Sequence, residues 1–274
     1  MILIYILILL SAAACLYLFL LYPGKTRKER MLVFQQYRIA HRGLHDNTTS
    51  APENSLSAFK KAADAGYGIE LDVQLTRDKD VVVFHDFDLI RACGADVKTA
   101  DSSLAMLQTH RLFSSDEQIP SFAEALSQIR GQVPVIVELK SAPGSDHHAL
   151  CEKTAGYLDS YDGVFCIESF NPMIVRWFKH NRPEFLRDIL STNFFKELPP
   201  LSWSKKFILT NCVTNLFTRP DFIAYDIRYR NQLSNRICTR IYHMVRVGWT
   251  VKNADELEKA GSWYDVVIFD SFLP

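Results

Sequence analysis

The chain opens on an apolar run without a polar break. Positions 1–22 hold no charged residue and are nearly all Ile, Leu, Ala, Phe and Tyr. A helix of that length covers about one bilayer hydrocarbon core, so 1–22 is read as an uncleaved transmembrane anchor. Lys25, Arg27, Lys28 and Arg30 follow it, opposed only by Glu29, and no Lys or Arg precedes it. That asymmetry puts the C-terminal side in the cytoplasm. A cleaved secretory signal would need a basic n-region and a shorter apolar core. Ala12-Ala13-Ala14-Cys15 is a poor lipoprotein site, because no basic residue comes before it and Leu is missing three positions ahead of the cysteine. The segment is therefore expected to stand outside the fold, with 23–36 as a juxtamembrane linker.

From position 37 the pattern changes to short apolar runs alternating with stretches of helical period. Strands are expected at 37–40, 68–73, 81–85, 133–138, 164–168, 186–190, 221–227, 245–250 and 266–270. Helices are expected at 54–65, 121–129, 147–159, 172–180, 203–217, 232–242 and 254–260. Asn54 or Ser55, and Asn253, are suited to cap helix starts, and Ser121 with Glu124 makes a capping box. Gly66 and Gly261 fit helix ends. Strand–helix alternation of this kind means a parallel sheet with helical crossovers. The expected fold is α/β, a (β/α)8 TIM barrel over 37–274, with 81–85 as an extra short strand beside 68–73. An open doubly wound sheet has the same rhythm but carries a glycine-rich phosphate loop after its first strand, and neither GxGxxG nor GxxxxGK[ST] occurs here. Residues 91–120 are the least regular and are expected to cover one edge of the barrel.

Composition narrows the field. The 274 residues are 48% hydrophobic and 23% charged with formal net charge +0, which argues against a general nucleic-acid binder. The 6 cysteines are scattered without a CxxC pair, so zinc and iron–sulfur sites are unsupported. Cys166 and Cys212 lie in apolar runs and read as reduced core thiols.

Chemistry gathers where apolar runs end. Glu70 and Asp72 are spaced i, i+2 on a strand and point to one face. Inside a barrel, two carboxylates on one face repel and lose hydration, and a divalent cation relieves both problems. A solvent-facing strand with two surface acids fits that pair equally well. Glu138 and Lys140 repeat the spacing on another strand, with Val133, Val135 and Val137 on the opposite parity; Glu138 is a candidate third ligand, and Lys140 suits an anionic substrate. Oxygen-only ligation favours Mg²⁺ or Ca²⁺, with Mn²⁺ admitted. His41 and His85 are candidates for general base and acid, since imidazole titrates near neutrality. Arg42 offers a planar fork for a phosphate or carboxylate, and Gly43 allows backbone close to a ligand.

Taken together, His41-Arg42-Gly43, Ala51-Pro52-Glu53-Asn54-Ser55, Ile69-Glu70-Leu71-Asp72-Val73, His85-Asp86, Glu138-Leu139-Lys140, Ser169-Phe170, Trp249-Thr250-Val251 and the stretch from Phe269-Asp270 to Pro274 resemble the glycerophosphodiester phosphodiesterase family over about 37–274. The resemblance implies a TIM barrel, catalytic histidines at His41 and His85, and metal ligands at Glu70, Asp72 and Glu138. It implies a substrate phosphate held by Arg42 and Lys140, a pocket-lining aromatic at Trp249, and supporting residues at Glu53 and Asn54. The implied reaction is metal-dependent hydrolysis of a glycerophosphodiester to sn-glycerol 3-phosphate and an alcohol. Two departures, Phe269 where Thr is usual and the polar run at 45–50, are expected not to touch the core set. The anchor raises an alternative substrate, a membrane lysophospholipid cleaved in the manner of a phospholipase D. A catalytically silent phosphodiester-binding barrel is disfavoured because every catalytic and metal position is filled. Phe194, Phe195, Leu198, Leu201 and Trp203 are read as helix packing against the barrel rather than a lipid contact. Nothing in the pattern sets an oligomeric state.

Overall fold

The computed structural model describes residues 1–24, 27–142, 144–197 and 201–274. Lys25 of the basic flank and Leu198 of the aromatic stretch lie outside the described residues. The strands are β1 (Ile39–Ala40), β2 (Gly68–Leu75), β3 (Val81–Val83), β4 (Val135–Leu139), β5 (Phe165–Ser169), β6 (Leu186–Ile189), β7 (Phe222–Asp226), β8 (Val245–Val251) and β9 (Val266–Phe269). The helices are α1 (Ile2–Leu21), α2 (Lys28–Met31), α3 (Leu56–Asp64), α4 (Ile90–Cys93), α5 (Leu104–Leu107), α6 (Phe122–Ile129), α7 (His147–Asp159), α8 (Pro172–Asn181), α9 (Phe194–Glu197), α10 (Trp203–Thr210), α11 (Asn215–Thr218), α12 (Leu233–Arg240) and α13 (Ala254–Gly261).

The strands run β6-β5-β4-β2-β1-β9-β8-β7, parallel throughout, and β3 pairs antiparallel with β2 as the extra strand. The ends β6 and β7 meet through side chains as well as backbone. Ser191 and Tyr225 form a parallel bridge. Asp188 Oδ2 accepts from the Ala224 amide at 2.7 Å, and Asp221 Oδ2 accepts from the Arg187 amide at 3.2 Å. The result is a nearly closed parallel barrel of the TIM type, as the alternation predicts. The Ser121–Glu124 capping box forms, and Ser55 rather than Asn54 caps α3.

The helix expected over 203–217 is broken into α10 and α11. Cys212 sits at φ +50°, in the left-handed region, amid Thr210, Asn211, Val213 and Thr214, which are weak helix formers. The irregular 91–120 segment packs on the outer side of β3 through its own small core of Val82, Phe84, Leu89, Leu107, Leu112 and Ile119.

The N-terminal region departs most from expectation. Met31 and Phe34, in the stretch read as linker, are fully buried with Ile39, Ile136, Cys166, Phe222 and Val247 inside the barrel. They stopper it at the end where the strands begin. Nor does α1 stand wholly outside the fold. Its last turn packs beside β7 and α12, with Leu21 fully buried against a cluster that includes Cys212, Ile223, Tyr225 and Ile237. Tyr242 Oη donates to the Leu18 carbonyl at 2.6 Å. Residues 1–16 are exposed.

Candidate active site

The first strand leads straight into the site. The His41 amide donates to the Phe269 carbonyl, extending the β1–β9 pairing by one residue. Arg42 (φ +56°) and Gly43 (φ +81°) then turn the chain sharply. A Cβ on Gly43 would lie 2.9 Å from the Ala58 carbonyl carbon, so glycine is required by the close approach of α3 rather than by a ligand, as first expected. The turn aims the Arg42 amide at Glu70 Oε2, 3.0 Å away.

His41 and His85 are each held at Nδ1 by an aspartate. His41 Nδ1 is 3.1 Å from Asp270 Oδ2, and His45 Nε2 is 3.0 Å from the other oxygen of Asp270. Burial disfavours charge on Asp270, but the bonds from His41 and His45 outweigh it and hold that carboxyl well below the usual range. Burial, and then the Arg42 charge, push the His41 pKa down against the pull of Asp270. His41 is thus neutral near pH 7. The network assigns its proton to Nδ1, leaving Nε2 as an acceptor 3.9 Å from Glu70 Oε2. Across the site, His85 Nδ1 is 2.5 Å from Asp86 Oδ1, and Asp86 Oδ2 accepts from Arg91 Nε at 2.6 Å.

Arg91 continues the chain of charges. Its fork grips both oxygens of Glu53 at 2.6 and 3.0 Å, and Glu53 Oε1 accepts from Arg42 Nη1 at 2.8 Å. Burial opposes ionisation of Glu53, yet Arg91, Arg42 and Asn47 together lower its pKa to about 2. Asn54 Nδ2 donates to Asp72 Oδ2 at 2.9 Å. Glu53 and Asn54 therefore bond Arg42 and Asp72.

The acids line the barrel interior. Strand register pairs Asp72 with Glu138, Glu138 with Glu168, and Glu168 with Asp188. Glu70, Glu138 and Glu168 each bring an oxygen within 4.8 Å of the others, all buried. Burial, and then neighbouring carboxylates, raise Glu70 and Glu168 well above the usual range. Asp72, expected in the ligand set, keeps different company: Arg42 Nε at 3.3 Å and Lys140 Nζ at 3.6 Å. Burial disfavours its charge, but Lys140, His85 and Arg42 hold it low. Glu70 Oε1, Asp72 Oδ1 and Glu168 Oε2 are buried without a hydrogen-bond partner. Such unpartnered acceptors are costly unless a cation or proton satisfies them, so this donor set fits a hard divalent ion.

A cavity of about 340 Å³ opens here, lined by His41, Arg42, Glu70, His85, Glu138, Lys140, Glu168 and Trp249 among others. Trp249 packs edge-on against Phe170 at 5.6 Å, and Phe170 against Phe194 at 6.0 Å.

Three residues escaped the sequence reading. Glu168 was legible only by parity with the apolar Cys166 on an interior face. Asp270 stands beside the departure at Phe269, and His45 lies in the polar run expected not to touch the core set, yet Asp270 meets His41 and His45 lies 3.0 Å from Asp270. Asn47, in the same run, also bonds Glu53 at 2.9 Å. Of the aromatic stretch, Phe194 is buried as expected, while Phe195 and Trp203 are exposed, so packing does not account for them.

Comparison with known proteins places this geometry. The model of the glycerophosphoryl diester phosphodiesterase family matches residues 41–187. The chain is similar to a glycerophosphodiester phosphodiesterase of Caldanaerobacter subterraneus subsp. tengcongensis, 32% identical over 158 residues, covering 53% of this chain and 62% of that one. It is similar to a rat lysophospholipase D, 25% identical over 158 residues, covering 53% and 48%. The matched region spans about half the length of the curated relatives. In fold it resembles an Oleispira antarctica phosphodiesterase solved with the product sn-glycerol-3-phosphate, with TM-score 0.68 and 22% identity over 85% of this chain and 92% of that one. The chain belongs to the glycerophosphoryl diester phosphodiesterase family.

Proposed function

We propose that the protein hydrolyses glycerophosphodiesters to sn-glycerol 3-phosphate and an alcohol. The observation that carries this reading is the pair of histidines on one cavity, each held at Nδ1 by a carboxylate, with Arg42 and Lys140 between them and the acids. Arg42 and Lys140 hold the substrate phosphate and offset charge that develops on it. His41, neutral with Nε2 as acceptor, takes the proton from the attacking hydroxyl or water. His85, its Nδ1 against Asp86, gives a proton to the leaving alcohol; where the nucleophile is the neighbouring glycerol hydroxyl, water then opens the cyclic phosphate with the two histidine roles exchanged. Trp249 lines the pocket beside the substrate.

Glu70, Glu138 and Glu168, whose oxygens cluster, would hold a divalent cation, Mg²⁺ or Ca²⁺, and Asp72, paired with Arg42 and Lys140, would join them only through its Oδ1, which has no hydrogen-bond partner. When bound, that ion polarises the phosphate and neutralises the buried acids. Helix α1, read as a single-pass anchor over 1–22, enters the bilayer with its exposed residues 1–16 while its last turn stays on the barrel, and the barrel of 37–274 lies on the cytoplasmic side, a reading supported by the apolar length and by Arg27, Lys28 and Arg30 after it. That anchor favours a second substrate class, lysophospholipids cleaved between phosphate and head group, the activity named for one relative.

The test is release of sn-glycerol 3-phosphate from glycerophosphocholine and glycerophosphoethanolamine, and of choline with lysophosphatidic acid from lysophosphatidylcholine, by the full chain, with and without EDTA. EDTA-sensitive turnover that is lost in both His41→Ala and His85→Ala is expected. Near-normal turnover in either folded variant overturns the two-histidine scheme.

A further inference from the structure

The contacts of α1 fix which end of the barrel meets a membrane. Tyr17 Oη donates to Asn211 Oδ1 at 3.3 Å, Asn215 Nδ2 donates to the Leu21 carbonyl at 3.4 Å, and Arg219 donates to the Tyr22 carbonyl. Arg27 Nε donates to Asp221 Oδ1 at 2.8 Å. These partners advance steadily along the chain entering β7, which starts at Phe222 on the stoppered end. Running from residue 17 to 27, the chain therefore descends from the cavity end to the stoppered end. Residues 1–16 must leave the barrel on the cavity side.

The cavity rim carries an exposed aromatic surface of the kind that sits in the headgroup boundary. Phe195 lies 5.9 Å from Trp203, and Trp203 stacks on Phe207 at 5.4 Å. Trp203 is 70% exposed, and Phe195 and Phe207 are exposed too. Lys196, Lys205 and Lys206 flank the cluster, and among the described residues none of them is in an ion pair. Aromatic rings bordered by lysines suit a bilayer containing anionic lipid. The cluster is also continuous with the site, because Phe194 beside Phe195 packs on Phe170, which packs on Trp249 in the cavity wall.

We infer that the barrel sits with its cavity mouth toward the bilayer, held by α1 at one point and by Phe195, Trp203 and Phe207 at a second. The partner is an anionic lipid surface, and substrate enters from the lipid side. This inference rests on the anchor reading and deepens the proposed activity by naming where its substrate comes from.

The test uses the full chain in phosphatidylcholine–phosphatidylserine vesicles, with bromine on the upper acyl carbons. Quenching of tryptophan emission that is largely lost in Trp203→Phe supports the inference; equal quenching in both proteins overturns it. In Trp203→Ser/Phe207→Ser, turnover of bilayer lysophosphatidylcholine is expected to fall about tenfold while turnover of soluble glycerophosphocholine holds. An equal fall on both substrates overturns the inference, the rings then being fold supports. Release of the chain by alkaline carbonate overturns the anchor reading and this one with it. If the wild type turns over neither substrate, the catalytic reading fails, and the quenching still decides the surface.

Discussion

His41 Nδ1 and Asp270 Oδ2 lie 3.1 Å apart although 229 positions separate them in the chain. Barrel closure brings them together, since β1 and β9 are neighbours and each residue follows its strand. Asp270→Asn keeps the shape but removes the charge that orients the ring and favours its protonated form. We expect kcat to fall by about two to four orders of magnitude with the fold intact. Because Asp270 raises the His41 pKa and its loss removes that support, the acid limb of the kcat/KM profile should move to lower pH. Rate measurements across pH, with circular dichroism as the fold control, check both outcomes.

Glu53 links the two arginines, and its charge should be visible in acid stability. Its pKa is lowered from 4.5 to about 2, so folding is favoured fully above pH 4.5, and the benefit is lost as pH falls through 2. Glu53→Gln is expected to cost about 3 kcal/mol at neutral pH. The gap to wild type should shrink between pH 4.5 and 2, which urea melts at a series of pH values would reveal. A gap independent of pH would mean that Glu53 acts through shape rather than charge.

Buried acids that repel one another make the apo protein a strained state. Added Ca²⁺ or Mg²⁺ should raise Tm, by an amount equivalent to about 2.7 kcal/mol at a hundredfold excess over Kd. Glu138→Gln should abolish most of that shift, and Glu168→Gln should reduce it. Glu168→Gln should also stabilise the protein in EDTA, because it removes one of the repelling charges. Differential scanning calorimetry with and without ion separates the two effects, and a melt indifferent to both cations would sink the metal assignment.

Phe34 is a core residue despite its position ahead of β1. Phe34→Ala should cost about 3–5 kcal/mol, and a chain beginning at Tyr37 should melt lower than one that retains residues 28–36. Chemical denaturation of the three proteins gives the ranking. Equal stability would show that the stopper is dispensable.

Much of this was readable from pattern because the informative contacts are local or periodic. Glu70 and Asp72 share a face by strand parity, and Glu53 and Asn54 sit one helix start away from Arg42. What escaped depends on closure. Asp270 meets His41 only because the last strand returns beside the first. Glu168 joins Glu138 only through the register of β4 on β5, which no local window contains. The break at Cys212 is a case of weak helix propensity hidden inside an apolar period. The burial of Met31 and Phe34 was masked by the charges around them, which read as a solvated linker.

The ion pair of Arg27 with Asp221 and the seat of Leu21 have a consequence for reach. An enzyme on a flexible leash searches a volume set by leash length. With the last turn of α1 fastened to the barrel and the next residues inside it, there is little slack to search with. On the proposed anchor, encounter with a lipid substrate is then a matter of lateral diffusion, and the rate should follow its mole fraction in the surface, whereas a soluble glycerophosphodiester is met at its concentration in bulk water.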